Sequence, residues 1–331
     1  MQTTKKQRII TSLGLAVLAG VSLVTPALAV VNIGYVPVGN PGNVADSTGF
    51  GAVPYAYQIA KNETTISQYA AFLNAVAAID THGLYSPNMS GTGNYPYVAG
   101  INRSGSSGSY FYSVVDGSAN KPVTFVSWFD AARFCNWVHN GQPTGPQNEG
   151  STEDGAYTLN GPSGVNIFKN AAAKVWIPSE NEWYKAAYFD PTMGGTGGYW
   201  KYPTHSNALG GNSVGVANSA NYYAGGWVGY PGMALTDVGA YGANSDSFYG
   251  TNDQGGNVWE WNDAVISDSS RGLRGGSWAD VDYGLASPYR YYYAPSGETS
   301  GVGFRVASVP EPSCVVLTIL ASGMLVTRRK R

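Results

Sequence analysis

The chain of 331 residues contains only two cysteines, three histidines and 12% charged residues, with a formal net charge of -2. Nucleic-acid binding needs a basic surface, so this composition argues against a nucleic-acid partner. Cys314 falls in a C-terminal tail segment, and its loss would leave Cys135 as a single thiol without an internal disulfide partner. Stability must then come from the core or from a bound metal.

Standard catalytic motifs are also missing. The three histidines show no pair at the helical spacing of a zinc site. The chain has no Gly-x-Ser-x-Gly elbow, no Walker loop and no dinucleotide-binding glycine fingerprint. These absences argue against the common hydrolase, nucleotide-binding and zinc-enzyme classes.

Glycine and aromatic residues are instead abundant. There are 44 glycines, and aromatic residues make up 13% of the chain. Many glycines indicate many turns and irregular loops, while large rings pin such loops to a core. Disordered chains are poor in aromatic residues, so we expect a folded, loop-rich globular protein.

The N-terminus has the pattern of a secretory signal. Lys5, Lys6 and Arg8 precede a mostly apolar run over residues 9–24, and "TPALA" ends in the small residues of a cleavage site. We predict a signal peptide over residues 1–29, with cleavage after Ala29 and export of the remainder. The alternative is an uncleaved membrane anchor.

The C-terminal tail, residues 309–331, contains Pro-Glu-Pro, an apolar run over 313–326 and a basic end. The apolar run is short for a membrane span, and the basic end favours a cytoplasmic location. The tail resembles the PEP-CTERM sorting signal. This resemblance implies an exosortase-type partner, transient anchoring in the inner membrane through the tail, and delivery to the cell surface or matrix. The alternative is a plain membrane anchor.

Three helices can be predicted between these signals. Each begins with Ser or Thr and has Gln or an acidic residue three positions later, which is a capping signature. The pairs are Thr65–Gln68, Ser127–Asp130 and Ser179–Glu182. The expected stops are Gly83, Gly141 and Pro191. Short strand signals lie at 56–60, 123–127, 174–178, 273–278 and 303–308.

The segment "DQGGNVWEWN", residues 253–262, places a carboxylate between two tryptophans. Asp253 and Glu260 supply carboxylates, and the Gly-Gly turn lets backbone carbonyls approach closely. Calcium prefers such a mixture of oxygen ligands. Three roles remain open for Glu260: calcium ligand, hydrogen-bonded core carboxylate or catalytic acid.

Four blocks resemble the formylglycine-generating-enzyme (sulfatase-modifying factor) family. They are "PVTFVSWFDAARFCNW", "WIPSENEWYKAAY", "GGNVWEWN" and "RGLRGGSW" with "GFRVAS". The resemblance implies a single α+β domain over residues 30–308, with a C-type-lectin-like fold and little regular secondary structure. It also implies structural calcium. The implied ligands are the side chains of Asp253 and Glu260 and the carbonyls of Gly256 and Val258, with Asn221 and Tyr222 at a second site.

The chain departs from this family where the oxidases carry two cysteines that bind copper. Residues 278–293 contain no cysteine, and the two positions fall near Asp280 and between Leu285 and Pro288. Thiolates select Cu(I), so copper is not expected here. We interpret Cys135 as a small buried core residue.

The block after Gly-Gly-Ser still supplies a candidate ligand pocket of Asp280, Asp282, Tyr289, Arg290 and Tyr291. Aromatic and polar groups of this kind suit a glycan or a peptide. The alternative is that the tyrosines are packing residues. Arg274 and Arg305 are expected to brace the core. We therefore expect an exported binding module, with a formylglycine-generating oxidase or related oxidative enzyme as the alternative.

Overall fold

Three capped helices organise the first two thirds of the domain. The structure is a computed structural model that describes residues 30–92, 94–159, 164–229 and 234–310. The helices are α1 (Ile66–Val76), α2 (Trp128–His139) and α3 (Glu180–Tyr188). Each begins with a reciprocal capping box, in which the cap hydroxyl and the side chain three residues later exchange hydrogen bonds with the backbone. All three predicted N-termini are confirmed.

The helix ends agree less uniformly with the sequence. Helix α2 gives way to Gly141, whose φ of +84° suits glycine, and α3 stops before Pro191, as predicted. Helix α1 ends at Val76, so the predicted stop at Gly83 is wrong. The carbonyl of Ala77 accepts a hydrogen bond from the Tyr112 hydroxyl instead of continuing the helix. The Ala78 carbonyl likewise accepts from the amides of Gly108 and Tyr110, so a segment distant in sequence satisfies the carbonyls at the end of α1.

Twelve short strands occur in the described residues. They are β1 (Tyr35–Val38), β2 (Tyr57–Ala60), β3 (Ile101–Ser104), β4 (Phe111–Val114), β5 (Val175–Trp176), β6 (Phe189–Asp190), β7 (Gly198–Tyr199), β8 (Trp259–Ser267), β9 (Ser270–Arg274), β10 (Tyr291–Tyr293), β11 (Val302–Gly303) and β12 (Ala307–Ser308). Four 3₁₀ turns join them, at Pro87–Met89, Pro96–Val98, Met193–Gly195 and Asp282–Leu285.

The strands pair into two four-stranded sheets and two ribbons. One sheet has the order β1-β2-β12-β5 with antiparallel pairs, and the other has the order β10-β9-β8-β11 with a parallel β8–β11 pair. Strands β3 and β4 form one ribbon, and β6 and β7 form the other. The last strands of the chain thus join the first ones, which closes the domain.

Three strand predictions need correction. Of the run 273–278, only Leu273 and Arg274 belong to a strand, because Gly275 and Gly276 have φ of +103° and +75° and end β9. Residues 123–127 are not a strand, because Phe125 has a φ of +56° and the amides of Val123 and Phe125 donate to loop carbonyls. The run 303–308 is divided into β11 and β12, and the carbonyls of Phe304 and Val306 accept from Thr64 and Ala60. These apolar residues therefore lie in irregular backbone whose hydrogen bonds go to loops and to the end of β2.

The main core lies among α1, α2 and the two large sheets. Rings of Phe72, Phe134 and Trp137 pack with centroid separations of 5.2–5.8 Å, and Phe304 joins Phe134 at 5.4 Å. Cys135 is fully buried beside them, and burial raises the pKa of its thiol, as suits a core residue. The described residues form a single α+β domain, rich in short strands and poor in helix.

No helix in the described ranges is long and apolar enough to cross a membrane. The predicted signal peptide, residues 1–29, and the tail from residue 311 lie outside the described residues. The export predictions therefore stay predictions.

The capping carboxyl of α2 makes the stability depend on pH. Burial raises the pKa of Asp130 to about 7. The folded protein then holds a proton that the unfolded chain releases near pH 4, so stability present below pH 4 is lost as the pH rises to about 7. We expect Asp130→Asn, which keeps an acceptor oxygen for the Ser127 amide, to lack this loss.

Urea denaturation at several pH values checks this expectation. Relative to the wild type, the variant should gain more than about 1.4 kcal/mol of unfolding free energy between pH 4 and pH 7, the equivalent of one pKa unit. The exposed Asp268→Asn serves as a control. Parallel stability curves for wild type and Asp130→Asn would contradict the assignment.

Candidate functional site

Glu260 lies at the start of β8 and is fully buried. Its carboxylate accepts two hydrogen bonds from the Arg305 guanidinium, from Nε to Oε2 at 2.6 Å and from Nη2 to Oε1 at 2.7 Å. Trp183 of α3 donates its indole N–H to Oε2 at 2.7 Å. The structure thus places Glu260 as a core carboxylate that connects α3, β8 and the last block of the chain.

The neighbouring tryptophans have different surroundings. Trp261 is fully buried and donates its indole N–H to the carbonyl of Val126 at 3.0 Å. Trp259 is 7% exposed, and its ring packs against Tyr289 and Tyr291. Strand β8 thus presents one ring to the core and one to a surface cavity.

Oxygen atoms without hydrogen-bond partners gather near the preceding turn. Glu63 Oε2 and Asn221 Oδ1 are buried and lack a partner among the described residues. Both residues bond to Asn257. The Asn257 amide group donates from Nδ2 to Glu63 Oε1 at 3.3 Å, and Asn221 Nδ2 donates to Asn257 Oδ1 at 3.0 Å. Burial raises the pKa of Glu63 well above its usual range, and the Asp253 carboxylate raises it further. The turn is therefore flanked by buried acceptors in excess of donors.

The predicted calcium ligands occupy this region. Asp253 has a φ of +56° and accepts from the Gly239 amide through Oδ2 at 2.5 Å. Gly256 packs against the Asn221 peptide so closely that an added Cβ would lie 2.2 Å from that carbonyl oxygen. Val258 is buried directly before β8, and the Tyr222 carbonyl accepts from Asn212 at 3.0 Å.

The donor set is compatible with calcium. No described group of three or more Asp, Glu, His or Cys side chains is arranged to hold a metal, so any site here depends on mixed ligands. A carboxylate oxygen can accept two hydrogen bonds, and Glu260 Oε1 accepts one, from Arg305. Glu260 Oε1 and the unpartnered Asn221 Oδ1 can therefore each accept a further contact, and both are oxygen ligands of the kind that calcium prefers.

A surface cavity of about 460 Å³ opens between β8, β10 and the loops before β11. Its walls carry five aromatic rings: Trp259, Trp278, Tyr289, Tyr291 and Tyr293. Asp280 lies on the wall, half-buried, and its Oδ2 accepts from the amide and hydroxyl of Ser277. The cavity thus combines aromatic faces with one carboxylate.

The cavity brings together three of the five predicted pocket residues, namely Asp280, Tyr289 and Tyr291. Asp282 lines a separate depression, where it accepts from the Tyr202 hydroxyl at 3.4 Å. Arg290 forms an ion pair with Glu180, with 2.6 Å between Nη2 and Oε2. The two remaining residues are thus placed apart from this cavity.

The two positions of the family cysteines differ in their environment. Asp280 lies on the cavity wall, whereas the stretch between Leu285 and Pro288 is buried, with Ala286 in a small cluster with Tyr202 and Tyr222. The one cysteine in the described residues, Cys135, is buried in α2. These residues do not fit a thiolate–copper centre, because Cu(I) requires soft sulfur ligands.

Sequence reasoning missed several members of both sites. Glu63 reaches the turn through its contact with Asn257, and residues 299–302 reach the cavity through tertiary contacts. Ser277 and Trp278, close to Asp280 in sequence, also line the cavity and were not singled out. Glu180 was also missed as the shared partner of Arg274 and Arg290. The one sequence signal for this role of Glu180 was the acidic first turn of α3. Acidic residues there are equally typical of helix capping, so the signal did not indicate an ion pair.

Comparisons with known proteins place these features in a family. Residues 25–309 match the family model described as the sulfatase-modifying factor enzyme 1-like domain. No curated protein matches the chain. The solved structure of CarF is 21% identical with a TM-score of 0.52, covering 85% of this chain and 99% of its own. At this identity the likeness shows the fold alone.

Two further solved structures are more distant. The variable protein 1 of Treponema denticola is 20% identical with a TM-score of 0.49, over 86% of this chain and 98% of that one. PvdO from Pseudomonas aeruginosa is 17% identical with a TM-score of 0.45, over 84% and 92%. The C-type-lectin-like label stays a prediction. Because the family model matches well over half of the chain, the protein belongs to the FGE-sulfatase family of sulfatase-modifying factor enzyme 1-like domains.

Proposed function

We propose that this chain is an exported, non-catalytic member of its family that binds a ligand at the cell surface or in the extracellular matrix. The observation that carries the proposal is a cavity whose described lining contains no cysteine. The cavity has Asp280 on its wall, and residues 278–293, where the family oxidases carry their cysteine pair, contain no cysteine. A family fold that keeps a lined cavity and lacks the oxidising ligands suits recognition better than redox chemistry.

The cavity has the size and composition of a binding site. Its volume of about 460 Å³ lies within the range of small-ligand pockets, which runs from roughly 300 to 1,000 Å³. Tyr291 and Tyr293 are 43% and 39% exposed, so their rings are accessible at the rim. The Ser277 hydroxyl donates to Asp280 and so fixes that carboxylate on the wall, where Thr299 also lies. We infer a glycan or a peptide segment as the ligand.

A binding screen tests this proposal. Residues 30–310 would be applied to glycan and peptide arrays, and each hit would be measured again in solution. Tyr291→Ala, which removes an aromatic wall, should weaken binding by at least about tenfold. Tyr292→Ala is the neighbouring control, because Tyr292 is also exposed, at 55% against 43% for Tyr291, yet lies outside the cavity lining. Equal losses in both variants would place the binding elsewhere.

Family membership favours one alternative, which is formylglycine-generating oxidation or a related oxidative activity. Copper would supply the oxidative chemistry in such an enzyme, and the residues on the cavity wall are unsuited to hold it. A direct activity assay separates the two candidate functions.

We also propose a structural calcium ion beside the Gly-Gly turn. Asp253 and Glu260 would hold it by side chain and Gly256 and Val258 by carbonyl, with Asn221 and Tyr222 at a second site. Calcium would neutralise the excess of buried oxygen acceptors there. Support comes from the unpartnered oxygens of Glu63 and Asn221.

Calcium should therefore stabilise the fold by mass action. At about 100 times its dissociation constant, a native-state ligand contributes about 2.7 kcal/mol, which raises the melting temperature by roughly 5 °C. Asp253→Ala should abolish this increase, while the exposed Asp268→Ala keeps it. Glu260→Ala is less informative, because it also removes the Arg305 ion pair. Identical melting curves with calcium and with chelator, in metal-free wild-type protein, would remove the site.

Export is proposed from the two terminal signals. Cleavage after Ala29 and processing of the tail by an exosortase-type enzyme would deliver residues 30–308 to the surface, with membrane contact only through the tail. The intact mass of protein recovered from the cell surface tests both cuts. A mass that includes residues 1–29 or the basic end would contradict the corresponding step.

A further inference from the structure

The cavity described above has an unbalanced charge. Among the described residues that line it, Asp280 alone has a charged side chain. No Lys, Arg or His of the described ranges lies within ion-pairing distance of that carboxylate. Arg274 and Arg290 both bind Glu180 instead, Arg271 binds Asp263, and Arg305 binds Glu260. The negative charge of the cavity is therefore available to a ligand.

The aromatic walls add negative potential of their own. The Trp259 ring lies 5.9 Å from Tyr289 and 5.5 Å from Tyr291 between centroids, with interplanar angles of 39° and 35°. Ring faces carry the negative end of the aromatic quadrupole and attract cations within about 6 Å. Rings grouped around one carboxylate thus favour a cationic ligand and disfavour an anionic one.

The hydrogen bonds of Asp280 limit which cation fits. Oδ2 already accepts from the Ser277 amide and hydroxyl, so it has no capacity for a further donor. A guanidinium binds a carboxylate best through both oxygens, whereas an ammonium group acts as a compact point charge. Alkyl substituents on an ammonium group also contact ring faces favourably.

We propose that the cavity binds an organic ammonium group, seated against Trp259 and Tyr291 with Asp280 as its counter-charge. This inference rests on the proposed binding function and specifies its ligand chemistry. A lysine side chain of a peptide and a choline headgroup share that chemistry, and the experiment distinguishes these two sources.

The test measures the affinity of residues 30–310 for choline, for Nα-acetyl-lysine amide and for the uncharged tert-butyl analogue of choline. We expect at least one of the two cations to bind, and the uncharged analogue to bind about tenfold more weakly. Tighter binding of the trimethylated or of the primary ammonium identifies the source. Melting curves confirm that each variant is folded.

Two matched pairs of variants locate the site. Asp280→Asn keeps the size and an acceptor for Ser277, and it should weaken cation binding about tenfold. Asp282→Asn, in the neighbouring depression, should not. Tyr291→Leu should weaken binding, and Tyr292→Leu should not. The inference is overturned if the uncharged analogue binds equally, or if Asp280→Asn matches the wild type.

Failure of this inference can be separated from failure of the proposed function. If an arrayed glycan or neutral peptide binds in a Tyr291-dependent way while both ammonium compounds fail, the ammonium proposal is wrong and the binding function stands. If neither the ammonium compounds nor any arrayed ligand binds the folded protein, both proposals are overturned.

Discussion

Arg305→Met lowers the free energy of unfolding by about 3–5 kcal/mol, because it leaves Glu260 as an unpaired buried charge. All five N–H groups of Arg305 donate hydrogen bonds. Two go to Glu260, and the others go to the carbonyls of Ala60, Lys61 and Asn252 at 2.8–3.1 Å. Arg305 is fully buried, so water cannot replace these bonds. Urea denaturation followed by circular dichroism measures the loss.

Two comparisons isolate the buried pair. Lys121→Met breaks the more exposed Lys121–Asp237 contact of 3.0 Å and should cost less than about 1 kcal/mol. The double variant Glu260→Leu with Arg305→Met should be more stable than the sum of the single changes predicts, because no unpaired charge remains. A loss below 1 kcal/mol for Arg305→Met would contradict the central position of this ion pair.

Gly256→Ala lowers the unfolding free energy by about 3–4 kcal/mol, through backbone strain and a steric clash together. Gly256 has a φ of +79°, and its new Cβ would lie 2.2 Å from the Asn221 carbonyl oxygen. That oxygen also accepts from the Asn257 amide at 2.7 Å, so it cannot move without loss of a buried hydrogen bond. The measurement is made with chelator present, which separates the backbone effect from any metal.

Gly242→Ala is the control for Gly256→Ala. Gly242 has a similar φ of +70°, and nothing lies within 4 Å of its added Cβ. Its substitution should show the strain alone, about 1–2 kcal/mol. Equal losses at the two glycines would mean that the contact with Asn221 is loose, and the close approach inferred for this turn would be wrong.

Local signals predicted the starts of elements better than their ends or partners. The capping pairs that begin α1, α2 and α3 act within four residues, so the sequence contains all of their information. The carbonyl at the end of α1 finds its partner in Tyr112, more than 30 residues away. The irregular backbone at Phe125 depends on hydrogen bonds to the loop around Thr299, which no periodicity reports.

The candidate site shows the same division. The bracing roles of Arg274 and Arg305 were predictable, because a buried arginine needs a partner. The strand Trp259–Ser267 was not predicted, although Glu260 was singled out as a carboxylate that needs a partner. The ion-pair partner of each buried carboxylate and arginine was not predictable. Glu260 pairs with Arg305, and Glu180 draws Arg290 away from the tyrosine cavity, through contacts that span 45 and 110 residues.

The proposal of a non-catalytic function depends on the missing cysteine pair, because residues 278–293 contain no cysteine. The domain keeps the family fold and an aromatic cavity, and the cavity wall carries Asp280 near one of the expected thiol positions. A carboxylate cannot form the thiolate–copper centre that the oxidase chemistry requires. The proposal of ligand recognition rests on the aromatic cavity and its carboxylate.

The most direct test is an oxidation assay on residues 30–310. The purified domain would be loaded with copper and incubated aerobically with a reductant and a cysteine-containing sulfatase-type peptide, beside an active family enzyme. Mass spectrometry of the peptide then reports any conversion of thiol to aldehyde. We predict no conversion by this domain while the active enzyme converts the peptide. A copper-dependent conversion by this domain would contradict the assignment as a non-catalytic binding protein.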